Sequence, residues 1–109
     1  MKVAIFFVFL YLSISVAART FYVAPTGGSD MYPGTIDQPW ATWQKAFTSA
    51  DTGDTVYFRG GVWYSSVLVQ HNPTSGKGNN GTRTQPICFF NFPGEEPILD
   101  CINHTSLNY

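Results

Sequence analysis

Gly53-Asp54-Thr55-Val56-Tyr57-Phe58-Arg59-Gly60-Gly61-Val62-Trp63-Tyr64 holds a turn, a strand, a corner and the start of a second strand. Asp51 to Asp54 has the composition of a turn. From Thr55 to Arg59 the side chains alternate, so that Val56 and Phe58 share one face while Thr55, Tyr57 and Arg59 share the other. Gly60-Gly61 ends the strand where a side chain would obstruct a sharp change of direction. Val62 to Tyr64 then begins a second short strand and Ser66 to Gln70 a third. Such a chain is turning corners rather than making long hairpins.

Upstream of this stretch the period changes. Trp43, Ala46, Phe47 and Ala50 fall on one stripe of a short helix. Thr42 is placed as its N-cap, with Pro39 before it and Gly53 after it. Two or three turns do not persist alone in water, so Trp43 and Phe47 must lie on an apolar surface. Trp43 therefore reads as core. Trp40 stands outside the stripe and stays open between core and sugar-stacking platform. Before it, residues 25–34 are crowded with Pro, Gly, Ser and Asp, which makes a loop. Asp30 within that loop reads as a turn cap, with calcium ligation as the rival. Thr20 to Ala24 reads as a first strand.

Downstream, residues 71–84 (HNPTSGKGNNGTRT) are polar, glycine-rich and without period, a surface loop of a length that is often functional. Lys77 and Arg83 are either solvated loop charges or contacts to an acidic sugar. Asn80-Gly81-Thr82 and Asn103-His104-Thr105 each fit a glycosylation acceptor. Pro86 to Phe92 reads as a strand, Pro93 to Pro97 as a turn and Ile98 to Ile102 as another strand. A Cys88–Cys101 disulfide would close a 14-residue loop and add about 3 kcal/mol. The rival reading makes both small buried thiols on successive strands.

The first 18 residues follow another rule. Lys2, an apolar run from Val3 to Leu12, and small residues Val16 and Ala18 form a secretory signal peptide with a cut after Ala18. The run falls short of the roughly 20 residues of a spanning helix. The expectation is a secreted product, extracellular or periplasmic, with no membrane attachment after cleavage. Without residues 1–18, five basic side chains stand against seven acidic ones, a net of −2. That balance offers no basic stripe for nucleic acid. Aromatic residues make up 17% of the chain and charged ones only 12%, more apolar surface than a small free-standing domain hides easily. A partner surface is implied.

In order, FYVAPTGGSD with PGT, then QPWATWQKAF, then GDTVYFRGGVWY, then QPICFFNFPGEEPILD resemble the N-terminal part of secreted right-handed parallel β-helix proteins of the pectate-lyase-like superfamily. They are most similar to family nine polysaccharide lyases. The resemblance implies an all-β solenoid, the N-terminal portion of a right-handed parallel β-helix with one short capping α-helix. Residues 19–109 would be the cap and first coils, truncated at the C-terminus, and the partner surface would be the rest of its own β-helix. It implies polysaccharide, uronate-containing, as substrate. Lyase chemistry of this kind uses Ca²⁺ and a basic residue that abstracts the proton α to a uronate carboxylate. No position here matches those motifs, so Ca²⁺ belongs to the full-length protein with ligands outside this segment. Rival readings are a non-catalytic adhesive β-helix that binds glycans and a β-helix glycoside hydrolase. Glu95-Glu96 are poor carboxylates for a hydrolase, because adjacent residues on a turn diverge. Arg59 is expected to pair with the Asp51 to Asp54 turn or to lie in solvent.

Overall fold

The computed structural model describes residues 18–66 and 68–102. The signal-peptide reading, apart from Ala18, and the Asn103 sequon lie outside them. The elements are β1 (Thr20–Val23), α1 (Trp43–Ser49), β2 (Thr55–Phe58), β3 (Gly61–Tyr64), a 3₁₀ turn (Pro73–Ser75), β4 (Cys88–Asn91) and β5 (Pro97–Asp100). Among the described residues all pairing between these strands is parallel. One sheet runs β1-β2-β4 and the other β3-β5, so successive passes of the chain lay equivalent strands side by side. Thr20, Thr55 and Cys88 stand in register in the first sheet, and Gly61 and Pro97 in the second. Ser66 and residues 68–70, expected to belong to a third strand, form none.

Alternation in β2 turns Val56 and Phe58 inward, where both are buried. They join Val23, Trp40, Ala46, Ala50 and Trp63 in one core, with Phe47, Phe89 and Leu99 packed against it. The helix supplies the lid of this core. Thr42 caps it by accepting from Lys45 N, and Asp30 holds Thr42 in turn: its Oδ1 accepts from Ala41 N and Thr42 N at 3.0 Å each, and its Oδ2 accepts from Thr42 Oγ1 at 2.7 Å. Trp43 then lies 4.5 Å from Phe58 and at right angles to Phe47, giving the short helix the apolar floor it lacks in isolation.

Gly61 has φ of 126°, and a Cβ there would stand 2.6 Å from Pro25 Cγ. The corner between β2 and β3 therefore admits glycine alone. At that corner Arg59 reaches the turn between β4 and β5 and does not pair with the Asp51 to Asp54 turn. Its Nε and Nη2 donate to Glu95 Oε1 and Oε2 at 2.9 and 3.0 Å, and its guanidinium sits 4.3 Å from the Phe92 ring centre. The carboxylate of the turn, Asp54, is taken by Arg19 and by Asp51 N instead.

Candidate functional site

Three residues carried the expectation of substrate contact, and the fold separates them. Trp40 is 5% exposed. One face stacks on Phe21 at 4.5 Å, and Nε1 donates to Tyr32 O at 2.9 Å. Its backbone forms a parallel bridge to Val23. Trp40 is thus part of the cap's core and presents no face to a sugar. The reason lies in tertiary structure: the loop returns to lay residues 34–40 along the outer edge of β1.

Lys77 and Arg83 are both exposed, on the long loop, and neither has an ion-pair partner among the described residues. The loop itself is anchored at several points. Asn72 and Lys77 form an antiparallel bridge around the 3₁₀ turn, which places Lys77 at the base of a small tight turn. Asn79 Nδ2 donates to Thr48 O and Ala50 O, closing the C-terminal end of α1. His71 Nε2 donates to Asn79 O at 2.9 Å while its ring packs on Phe47 and Phe89. The two cations are therefore presented by an ordered scaffold, and Trp40 does not join them.

Signals that sequence reading passed over concern aromatic surface. Tyr22, Tyr57 and Phe90 share one register on the outer face of the first sheet, with centroid separations of 5.8 and 6.3 Å. Each occupies the outward position of the period-two pattern, which is the signal that would have found them once the register was known. Between α1 and β3 a hollow of about 250 Å³ is lined by Trp43, Gln44, Trp63, Tyr64 and Leu99. Tyr64 is 74% exposed at its rim. Trp43 Nε1 is buried without a hydrogen-bond partner among the described residues, which costs about 1–3 kcal/mol. Aromatic walls of this kind suit the apolar face of a sugar ring.

Four of the acidic residues are already employed. Asp30 holds the Thr42 cap of the helix, Asp54 is held by Arg19, Asp100 accepts from Ile102 N at 2.9 Å, and Glu95 binds Arg59. Among the described residues no group of three or more His, Cys, Asp or Glu could hold a metal ion. The cysteines are free thiols, Cys88 half-buried and Cys101 exposed, so no bridge joins them here and Cys101 is not a buried strand residue.

Parallel ladders of short strands, a capping helix and a glycine corner agree with what sequence comparison finds: the Pel9A-like right-handed β-helix region matches residues 21–108. The chain belongs to this family. Among its Pel9A-like relatives, pectate lyase PEL9 of Emericella nidulans is 34% identical over 93 residues, which are 85% of this chain and 21% of that protein. Among solved structures, a rhamnogalacturonan lyase superposes with a TM-score of 0.66 at 28% identity, over 84% of this chain and 24% of the other. The complex of XylC with xylose gives 0.58 at 29% identity, over 72% and 11%. The Pel9A-like segment thus spans about a fifth of the pectate lyase.

Proposed function

We propose that this Pel9A-like segment is the N-terminal part of a secreted pectate-type polysaccharide lyase that cleaves uronate polymers by β-elimination. The observation that carries the reading is the 34% identity to a pectate lyase over 93 residues, 85% of this chain. In this reading the segment's work is structural. The cap and the first two ladders seal one end of the solenoid and set the register on which later coils stack. In this reading the base and any Ca²⁺ ligands stand outside residues 18–102, within which no group of three or more His, Cys, Asp or Glu gathers. Lys77 and Arg83 contribute at most a charged rim that attracts acidic polymer.

The test is to incubate the whole secreted protein with polygalacturonate and other uronate polymers, with and without Ca²⁺, following the ultraviolet absorbance of the unsaturated product. Ca²⁺-dependent product is expected from the whole protein and none from residues 19–109 alone. Absence of product from every uronate polymer would overturn the lyase reading. The likeness to the xylose complex of XylC favours a second reading, in which the β-helix binds or hydrolyses neutral glycans. Reducing ends released without an unsaturated product would establish it.

A further inference from the structure

Residues 79 and 80 are both asparagine, and the fold assigns them opposite tasks. Asn79 turns inward and spends its side-chain amide on the last carbonyls of α1. Asn80 is held only by its backbone, whose carbonyl accepts from Thr52 Oγ1 at 2.9 Å. Its side chain is exposed and has no hydrogen-bond partner among the described residues. Thr82, two positions on, is also exposed, and its Oγ1 accepts from Gln85 N at 3.0 Å, which leaves the hydroxyl proton unspent. Beside them lies an open hollow of about 440 Å³, whose lining includes Asn80, Gly81, Thr82, His71, Ile87 and Phe89. A sugar attached at residue 80 would have room without displacing an anchoring contact.

We propose that Asn80 is an acceptor for an N-linked glycan, a modification that rests on the secretory route proposed above. The sequence Asn80-Gly81-Thr82 meets the acceptor rule of Asn, any residue but proline, then Thr. In the transfer, the Asn80 Nδ2 attacks the anomeric carbon of a polyprenyl-pyrophosphate-linked oligosaccharide supplied by the host's transferase. The new bond is Nδ2–C1. The C1–O bond to the pyrophosphate breaks, the lipid pyrophosphate leaves with that electron pair, and one amide proton is lost to base. The conformation keeps the product compatible with folding: the bonds that anchor this segment use the Asn80 carbonyl, the Asn79 side chain and the Thr82 oxygen, never the Asn80 amide.

The chain from Met1 is expressed in a eukaryotic host and recovered from both medium and cell membranes, before and after peptide-N-glycosidase treatment. A mobility step that the enzyme removes is expected, with Asp in place of Asn80 in the released peptide. Asn80→Gln and Thr82→Ala should abolish the Asn80 signal. Thr82→Ser and Asn103→Gln should retain it. A second arm places residues 19–109 behind an established cleavable leader. Modification there, but not with residues 1–18, would discard the native leader and keep the site. Unmodified Asn80 behind the established leader would overturn the proposal. Neither result touches the lyase reading, which the uronate assay decides.

Discussion

Glu95 joins the β4–β5 turn to the β2–β3 corner through a single carboxylate. Its oxygens accept from both Arg59 nitrogens and from Gly60 N at 2.8 Å. The Arg59 hydrogen bonds, followed by that of Gly60, lower its pKa from 4.5 to about 2. Folded Glu95 therefore binds fewer protons than unfolded Glu95 below the ordinary carboxylate value. Its contribution is complete above pH 4.5 and lost as pH falls toward 2. A carbon-detected titration should place the Glu95 midpoint near 2, and Arg59→Gln should return it toward 4.5. The thermal midpoints of wild type and Glu95→Gln should differ at neutral pH and converge as pH falls through that window. A pH-independent gap would refute the assignment. Gly34 makes a second single-residue point: it has φ of +84°, and a Cβ there would stand 2.7 Å from Trp40 Cε2 and 2.9 Å from Phe21 Cδ1. Gly34→Ala should destabilise by more than about 1 kcal/mol, read as a fall in thermal midpoint, because strain and clash act together.

At the level of elements, α1 is held from three directions, each by a different kind of group. Thr42 and Asp30 close its start, Asn79 its end, and Gln44 ties its flank to the backbone of Gln70. Gln44 Nε2 donates to Gln70 O while Oε1 accepts from Gln70 N, both at 3.0 Å, so a side-chain amide takes the place of a neighbouring strand. Gln44→Ala should raise the hydrogen-exchange rate of the Gln70 amide by at least tenfold and leave Val56 slow; equal rates would show the clamp to be idle. Thr42→Ala should cost about 1 kcal/mol as a lost cap. Local rules made much of this legible. Alternation placed Val56 and Phe58 inward, and the Thr42 cap with its apolar stripe placed the helix. What escaped was set by stacking. Residues 66–70 have the β-branched composition of a strand, yet the Gln44 side chain holds their end. The Arg59 partner lies 36 residues away, beyond any local rule. Trp40 looked open because nothing local says that its loop folds back on β1.

For the whole molecule, the decisive property is the inequality of its two ends. On the β1 side the cap takes up edge groups of Tyr22 and Ala24: Tyr22 N donates to Gly34 O, Trp40 N to Tyr22 O and Ala24 N to Trp40 O, at 2.8 to 2.9 Å. On the other side, β4 and β5 are edge strands among the described residues. Phe90 and Ile98, on those edges, are 51% and 44% exposed. Uncovered parallel edges beside apolar side chains are templates for pairing with another chain, and a further coil is what such an edge accepts in a solenoid. Produced as residues 19–109, the polypeptide should therefore self-associate, and sedimentation velocity should show a broad distribution of large species. Phe90→Lys and Ile98→Lys place charge on the outer face of each edge without opening the core. Together they should shift mass toward monomer while the far-ultraviolet dichroism stays unchanged, because the ladders β1-β2-β4 and β3-β5 are kept. If the unmodified polypeptide instead sediments as a monomer and melts in one sharp transition, the open edges are not what governs its behaviour, and the cap with its two ladders is a stable unit in its own right.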